Sequence, residues 1–150
     1  MTLYRLLLLL HVSSAILGLG PGFILIYIVK KASSMTELRH AFSIRKTLHI
    51  FVMVGGTVLL LSGLAMGALN PYLFQAGWYV TALILFLIAL AFGPVLLSPK
   101  SKPIKVLLKS NTDDKIPPEY YELARKLFFY ERIENVIFFS IIVLMVLKPF

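Results

Sequence analysis

Three histidines, seven carboxylates and no cysteine bound the chemistry open to this chain. Without a thiol there can be no disulfide, no thiolate-held metal and no cysteine nucleophile. His11 lies inside a long apolar stretch, where an ionisable side chain needs a reason to be. Met66 and Met145 fall at a comparable depth, and an imidazole–thioether pair suits haem iron or copper. A plainer use of His11 is a hydrogen bond to a serine (Ser13, Ser14 or Ser140) or to a backbone carbonyl. His49 belongs to the opposite end of an apolar stretch, so it cannot share one metal ion with His11 inside one molecule. His40 stands among basic residues and reads as solvated.

A second constellation is ionic. Arg45, Lys46 and His49 open one apolar stretch, and Tyr130, Glu131, Arg132, Glu134 and Asn135 open another. Helical neighbours one or two residues apart do not face each other, so Arg132 cannot neutralise Glu131 or Glu134 on its own helix. We expect Glu131 or Glu134 to pair with the Arg45–Lys46–His49 group. Such a pair is either a clamp between helices or a proton or substrate site. Two carboxylates without a soluble cleft give no support to glycoside hydrolysis. No P-loop, GxSxG, HExxH or glycine-rich dinucleotide fingerprint occurs.

The elements that must position these groups are membrane helices. Of 150 residues, 59% are hydrophobic and 15% charged, too apolar for one small soluble core. Backbone in hydrocarbon must satisfy its own hydrogen bonds, so an apolar run of about 20 residues reads as a helix. Four such runs occur, roughly Leu6 to Val29, Leu48 to Leu69, Trp78 to Leu97 and Leu127 to Leu147. The first is longer than a signal-peptide core and reads as a retained span. The expected fold is all-α, a four-helix transmembrane bundle with one membrane domain over residues 1–150.

Charge then sets direction. The connection 30–47 carries Lys30, Lys31, Arg39, Arg45 and Lys46. The connection 98–126 carries Lys100, Lys102, Lys105, Lys109, Lys115, Arg125 and Lys126, whereas Asn70 to Gly77 carries no charge. Positive-inside bias places the two basic loops in the cytoplasm and both termini outside (N-out/C-out), with Tyr72 and Trp78 at the outer interface. The formal charge of +8 therefore reads as topology beside anionic lipid, not as a nucleic-acid footprint. A turn is expected over Asn111 to Pro118, with unbroken helix from there to Leu147.

Small residues let helices approach closely in lipid, where burying apolar side chains gains little. Gly18 and Gly22 on the first span, and Gly56, Gly63 and Gly67 on the second, are expected to pack spans one and two together, or else to form a homodimer seam. Pro21, within Gly-Leu-Gly-Pro-Gly, should kink the first span. That kink is either a packing device or a ligand-lining break.

Leu10-His11 followed by Gly18, Gly20 and Gly22, then Gly55-Gly56, Ser62-Gly63 and Gly77-Trp78, resembles a family of bacterial integral membrane proteins defined as domain of unknown function 2269. That family is distantly similar to HemJ-type protoporphyrinogen oxidases and to the membrane domain of CopD-type copper proteins. The resemblance implies a haem-binding histidine on the first span, which His11 matches, and another on the third, where Phe92 or Gly93 stands. A basic residue expected soon after Trp78 is replaced by Thr81 and Ala82. These departures argue against protoporphyrinogen oxidase activity and bis-histidine haem.

The leading expectation is a small multi-pass protein of the cell membrane without assured catalysis, acting as a homo-oligomer or as an accessory to a larger membrane complex. One alternative is a redox protein binding haem or copper through His11. Another is a small transporter or channel using Pro21 and the Glu131–Glu134 cluster.

Overall fold

A computed structural model describes residues 2–150, and every regular element among them is helical. Helix α1 (Leu3–Leu19) is capped by Thr2, whose hydroxyl accepts the Arg5 N–H. A 3₁₀ segment, Gly20–Phe23, follows, with Pro21 in its first turn, and leads into the short α2 (Leu25–Lys30). Proline removes a donor and blocks the i−4 contact, so the helix tightens here rather than running straight. Helix α3 (Met35–Leu69) opens on Ser34, which accepts the Glu37 N–H at 3.2 Å, while the Glu37 carboxylate accepts the Ser33 N–H at 2.7 Å. This reciprocal capping gives α3 its start.

Helix α4 (Gly77–Phe92) passes through a π-helical stretch, Gly93–Leu97, into α5 (Ser98–Ser110). Pro94 sits at the start of that stretch, another locally repaired break. Helix α6 (Pro118–Leu147) begins on Pro118, whose fixed φ suits a first helical turn.

Three assemblies are long and apolar enough to cross a membrane: Leu3–Lys30, Met35–Leu69 and Gly77–Ser110. The fourth expected span, Leu127 to Leu147, lies inside α6. Its 30 residues reach about 45 Å at ~1.5 Å each, but any 18-residue stretch of it includes Glu131, Arg132 and Glu134. It meets the length and not the apolarity. It nonetheless runs from one end of the bundle to the other. Tyr120 packs near its start among the basic connections, and beyond its end Phe150 accepts the Trp78 N–H at 3.0 Å at the start of α4.

The two basic connections differ from plain loops, because 35–47, 98–110 and 118–126 are all helical. Their apolar residues recur at helical spacing and face one another. Met35 (0% exposed), Leu38 (1%), Ile104 (0%) and Leu127 (1%) are the most enclosed large side chains among the described residues. They form one core with Ala41, Leu108, Ile116, Tyr120 and Ala124. This end lies beyond the long apolar runs, where water or headgroups make apolar burial favourable, and packing is correspondingly tight.

Polar contacts lock the same end. Asp114 Oδ1 accepts the Thr36 N–H at 2.9 Å and the Thr36 hydroxyl at 2.6 Å, and its backbone carbonyl accepts the Met35 N–H at 2.7 Å. Arg39 donates to the Leu108 carbonyl at 2.9 Å and to the Asn111 carbonyl. An acid at the start of α3 and a guanidinium at the end of α5 both suit the helix dipoles. The hydrogen bonds from Thr36 hold the Asp114 carboxyl below its ordinary value.

A second core, Leu19, Leu59, Ala82, Phe86, Ala89, Phe138 and Ile141, lies within the apolar runs. There α1 packs on α3 and α4 on α6. The closest approach is Gly18 against Gly55. A Cβ on Gly18 would lie 2.7 Å from Gly56 N, and one on Gly55 would lie 2.7 Å from Gly18 Cα.

This corrects part of the expected glycine seam. Gly22 faces Asn135 and Phe138 of α6, not α3. The reason is the 3₁₀ segment: it turns about 120° per residue instead of about 100°, so the i, i+4 stripe is lost beyond Gly20. Gly67 lies under Phe74 and Tyr79, Gly63 lies against the His11 ring, and a Cβ on Gly56 would point away from Gly18 and meet only Phe86, at 3.8 Å.

Candidate functional site

Two groups of functional side chains emerge, one in each half of the bundle. Near the basic end, Arg45 on α3 and Glu131 on α6 form an ion pair, with Nη1 donating to Oε2 at 3.3 Å and Nη2 to Oε1. The side chains are only 12% and 8% exposed. A bidentate guanidinium–carboxylate geometry is what makes a desolvated pair tolerable. The Phe42 ring lies 5.4 Å from the Arg45 guanidinium and closes its other face.

The remaining members of that constellation separate. Lys46, His49 and Arg132 are exposed, and Arg45–Glu131 is the single ion pair among the described residues. Glu134 is half-buried beside Glu131 and makes no hydrogen bond or ion pair among the described residues. Asn135 sits against Gly22, and Lys100 Nζ lies 4.4 Å over the Tyr130 ring. In the core of the basic end, Tyr120 is buried and its hydroxyl has no partner among the described residues. Burial pushes that phenol up to about 12, so it stays neutral.

In the other half, α1 and α3 carry His11 and Ser62. The two helices are antiparallel, and both contacts follow from one register. His11 is seven residues before Gly18, and Ser62 is seven after Gly55, so each lies two turns from the glycine crossing. His11 Nδ1 and Ser62 Oγ are 2.9 Å apart. Ser62 Oγ also lies 2.7 Å from the Val58 carbonyl and 3.1 Å from that of Leu59. The hydroxyl has one proton, and it goes to a carbonyl that can only accept. His11 therefore donates from Nδ1–H, which leaves Nε2 as a bare acceptor.

His11 borders a cavity of about 220 Å³. Its other walls include Leu59, Gly63, Tyr79, Ala82, Phe86 and Met145. Tyr79 directs its hydroxyl to the Gly63 carbonyl at 2.9 Å. Met145 thus shares the cavity with His11, whereas Met66 is buried outside it.

The model of a protein family described as predicted integral membrane protein (DUF2269) matches residues 5–149. The chain belongs to that family. No curated protein and no solved structure matches the chain. Membership supports residence in a bilayer and multiple passes, in keeping with the three long apolar helices.

The residues around His11 do not fit a tetrapyrrole. A volume of about 220 Å³ falls below the ~300–1,000 Å³ usual for cofactor-sized pockets. No cationic side chain lines the cavity to meet anionic ring substituents. One imidazole nitrogen and one thioether are a sparse donor set for copper, and no group of three or more His, Asp or Glu lies together among the described residues.

Several members of these sites were missed in the sequence. Ser62 appeared only within a Ser-Gly motif, and Gly55 only beside Gly56. The signal for both was available in the antiparallel arithmetic, since 18 pairs with 55 as 11 pairs with 62. Tyr79, Ala82 and Phe86 carry no such signal, because apolar lining cannot be told from ordinary packing by residue type.

Proposed function

We propose that this family member is a cell-membrane protein that crosses the bilayer four times, with the basic helical end in the cytoplasm and both termini outside. We further propose that it acts as an accessory, holding a stiff helical head at the inner surface for a larger membrane complex or for further copies of itself. The observation that carries this reading is the Arg45–Glu131 pair. An acid within a spanning helix is costly in lipid, and a guanidinium from the neighbouring helix removes most of that cost. With Glu131 neutralised, α6 becomes acceptable as a fourth span.

Charge segregation supports the direction. Lys and Arg crowd the connections at one end, and Asn70–Gly77 at the other has none. The tight core of Met35, Leu38, Ile104 and Leu127 supports the stiff head. The lining at His11 gives no support to haem or copper redox chemistry, and the closure of Glu131 by Arg45 gives none to a transport path through it.

The chain has no native cysteine, so single cysteines can report topology directly. In intact cells, Gln75→Cys and Lys148→Cys should react with a membrane-impermeant maleimide. Lys105→Cys should react only after permeabilisation. Labelling of Lys105→Cys from outside, or protection of Lys148→Cys together with it, would overturn the four-span arrangement. In-membrane crosslinking that recovers only monomer would remove the accessory role.

A further inference from the structure

The cavity beside His11 is more specific than a packing defect. Its walls are hydrocarbon apart from one imidazole, the Met145 thioether and the Tyr79 hydroxyl, and that hydroxyl is already committed to the Gly63 carbonyl. The imidazole is fixed from behind. Nδ1 is held by Ser62, and the ring rests on Gly63, where an added Cβ would lie 3.1 Å from His11 Cε1. Ser14 donates to the His11 carbonyl at 2.9 Å and braces the backbone of the same residue. The remaining nitrogen, Nε2, makes no hydrogen bond among the described residues, so the cavity holds one strong acceptor, the weakly accepting Met145 sulfur and no free donor.

We propose that this cavity binds a small, uncharged, ring-sized molecule carrying one hydroxyl donor, of the phenol class, with the hydroxyl donating to His11 Nε2. Size sets the ring. At ~30 Å³ for each water-sized unit, a cavity of about 220 Å³ accommodates roughly seven heavy atoms, one hydroxylated six-membered ring. Charge is excluded because no cation or anion lines the wall. A ligand without a donor leaves Nε2 unpaired in an apolar cavity, which is the basis for discrimination. The route of entry is lateral, from lipid, because the helices beside the cavity present Val12, Ile142 and Val146 to the outside. The proposal stands apart from the accessory role and does not depend on it.

The test uses the full chain in lipid nanodiscs with ¹⁵N-labelled histidine, titrated with phenol and with toluene. Each probe has seven heavy atoms, and the two differ only in the donor. We expect phenol to shift the His11 Nε2 resonance saturably and to bind about tenfold more tightly than toluene. His11→Phe should reduce phenol to the affinity of toluene. Equal affinities in the unaltered protein would overturn the proposal without any variant having to fold. So would a non-saturating shift, or contacts from lipid chain methylenes to Ala82 that phenol fails to displace, which would assign the cavity to an acyl chain.

Discussion

Substituting Gly18 by alanine should weaken the bundle by about 2 kcal/mol, and the figure follows from the helix crossing. The new Cβ would lie 2.7 Å from Gly56 N, 2.8 Å from Gly55 C and 3.2 Å from Gly56 Cα. All three are backbone atoms of α3, so no side chain can turn aside. Ordinary carbon contact is roughly 3.5–4.0 Å, so α1 must lift by about 0.8 Å. A gap of that size forfeits a quarter to a half of each contact's ~0.1–0.2 kcal/mol, and a few tens of atom pairs then lose ~1–3 kcal/mol, the usual range for overpacking. The same lift strains the His11–Ser62 hydrogen bond two turns away, now at 2.9 Å. Gly55→Ala should act alike, with its Cβ 2.7 Å from Gly18 Cα. Gly20→Ala is the control. Gly20 has helical angles (φ −55°, ψ −52°) and nothing within 4 Å of an added Cβ, so alanine should stabilise by ~0.4–1 kcal/mol. Equilibrium unfolding by dodecyl sulfate in mixed micelles, followed through the sole tryptophan, Trp78, reads all three. The reasoning fails if Gly18→Ala and Gly20→Ala shift stability in the same direction, or if Gly18→Ala is neutral.

Three further outcomes are expected. Glu131→Ala should destabilise by about 3–5 kcal/mol in the same titration because it strands Arg45 in a buried site, whereas Arg45→Met with Glu131→Leu should be near neutral; a double variant as damaged as the single one would contradict this. Tyr120→Phe should stabilise by ~1 kcal/mol, since it removes a buried hydroxyl that has no partner, and a loss of stability would instead reveal an ordered water there. The Asp114 carboxyl is held below its ordinary value of 3.8 by the bonds from Thr36. The folded value is thus below the unfolded one. The cap's contribution is complete above about pH 4 and fades as pH falls through the lower folded value. Asp114→Asn should flatten that acid-side loss in thermal midpoints measured across pH 2–6, and an unchanged pH profile would count against the cap.

The sequence determined a good deal of this. Apolar runs of spanning length, the charge-free connection between α3 and α4, and a break at Pro21 all follow from one-dimensional chemistry, because hydropathy and proline act locally. Pairing of Glu131 or Glu134 with the Arg45 group was also legible, since Arg132 on the same helix was ruled out by spacing alone. Which acid pairs was not legible. Glu131 and Glu134 lie about 4.5 Å apart along α6 and only about 60° apart around it, and the depth and rotation at which α6 packs on its neighbours decide which one meets Arg45. The helix from Pro118 was legible, but the helical character of 35–47 and 98–110 was masked by charge, because their apolar positions, Met35, Leu38, Ile104 and Leu108, are too sparse to stand out until they meet. The choice of Gly55 over Gly56, and of Ser62 as the partner of His11, was likewise settled by the antiparallel register of α1 on α3. Residue type supplies the groups and their local backbone, but a contact between distant helices depends on rotation and register, and those are fixed only when all the faces are packed at once.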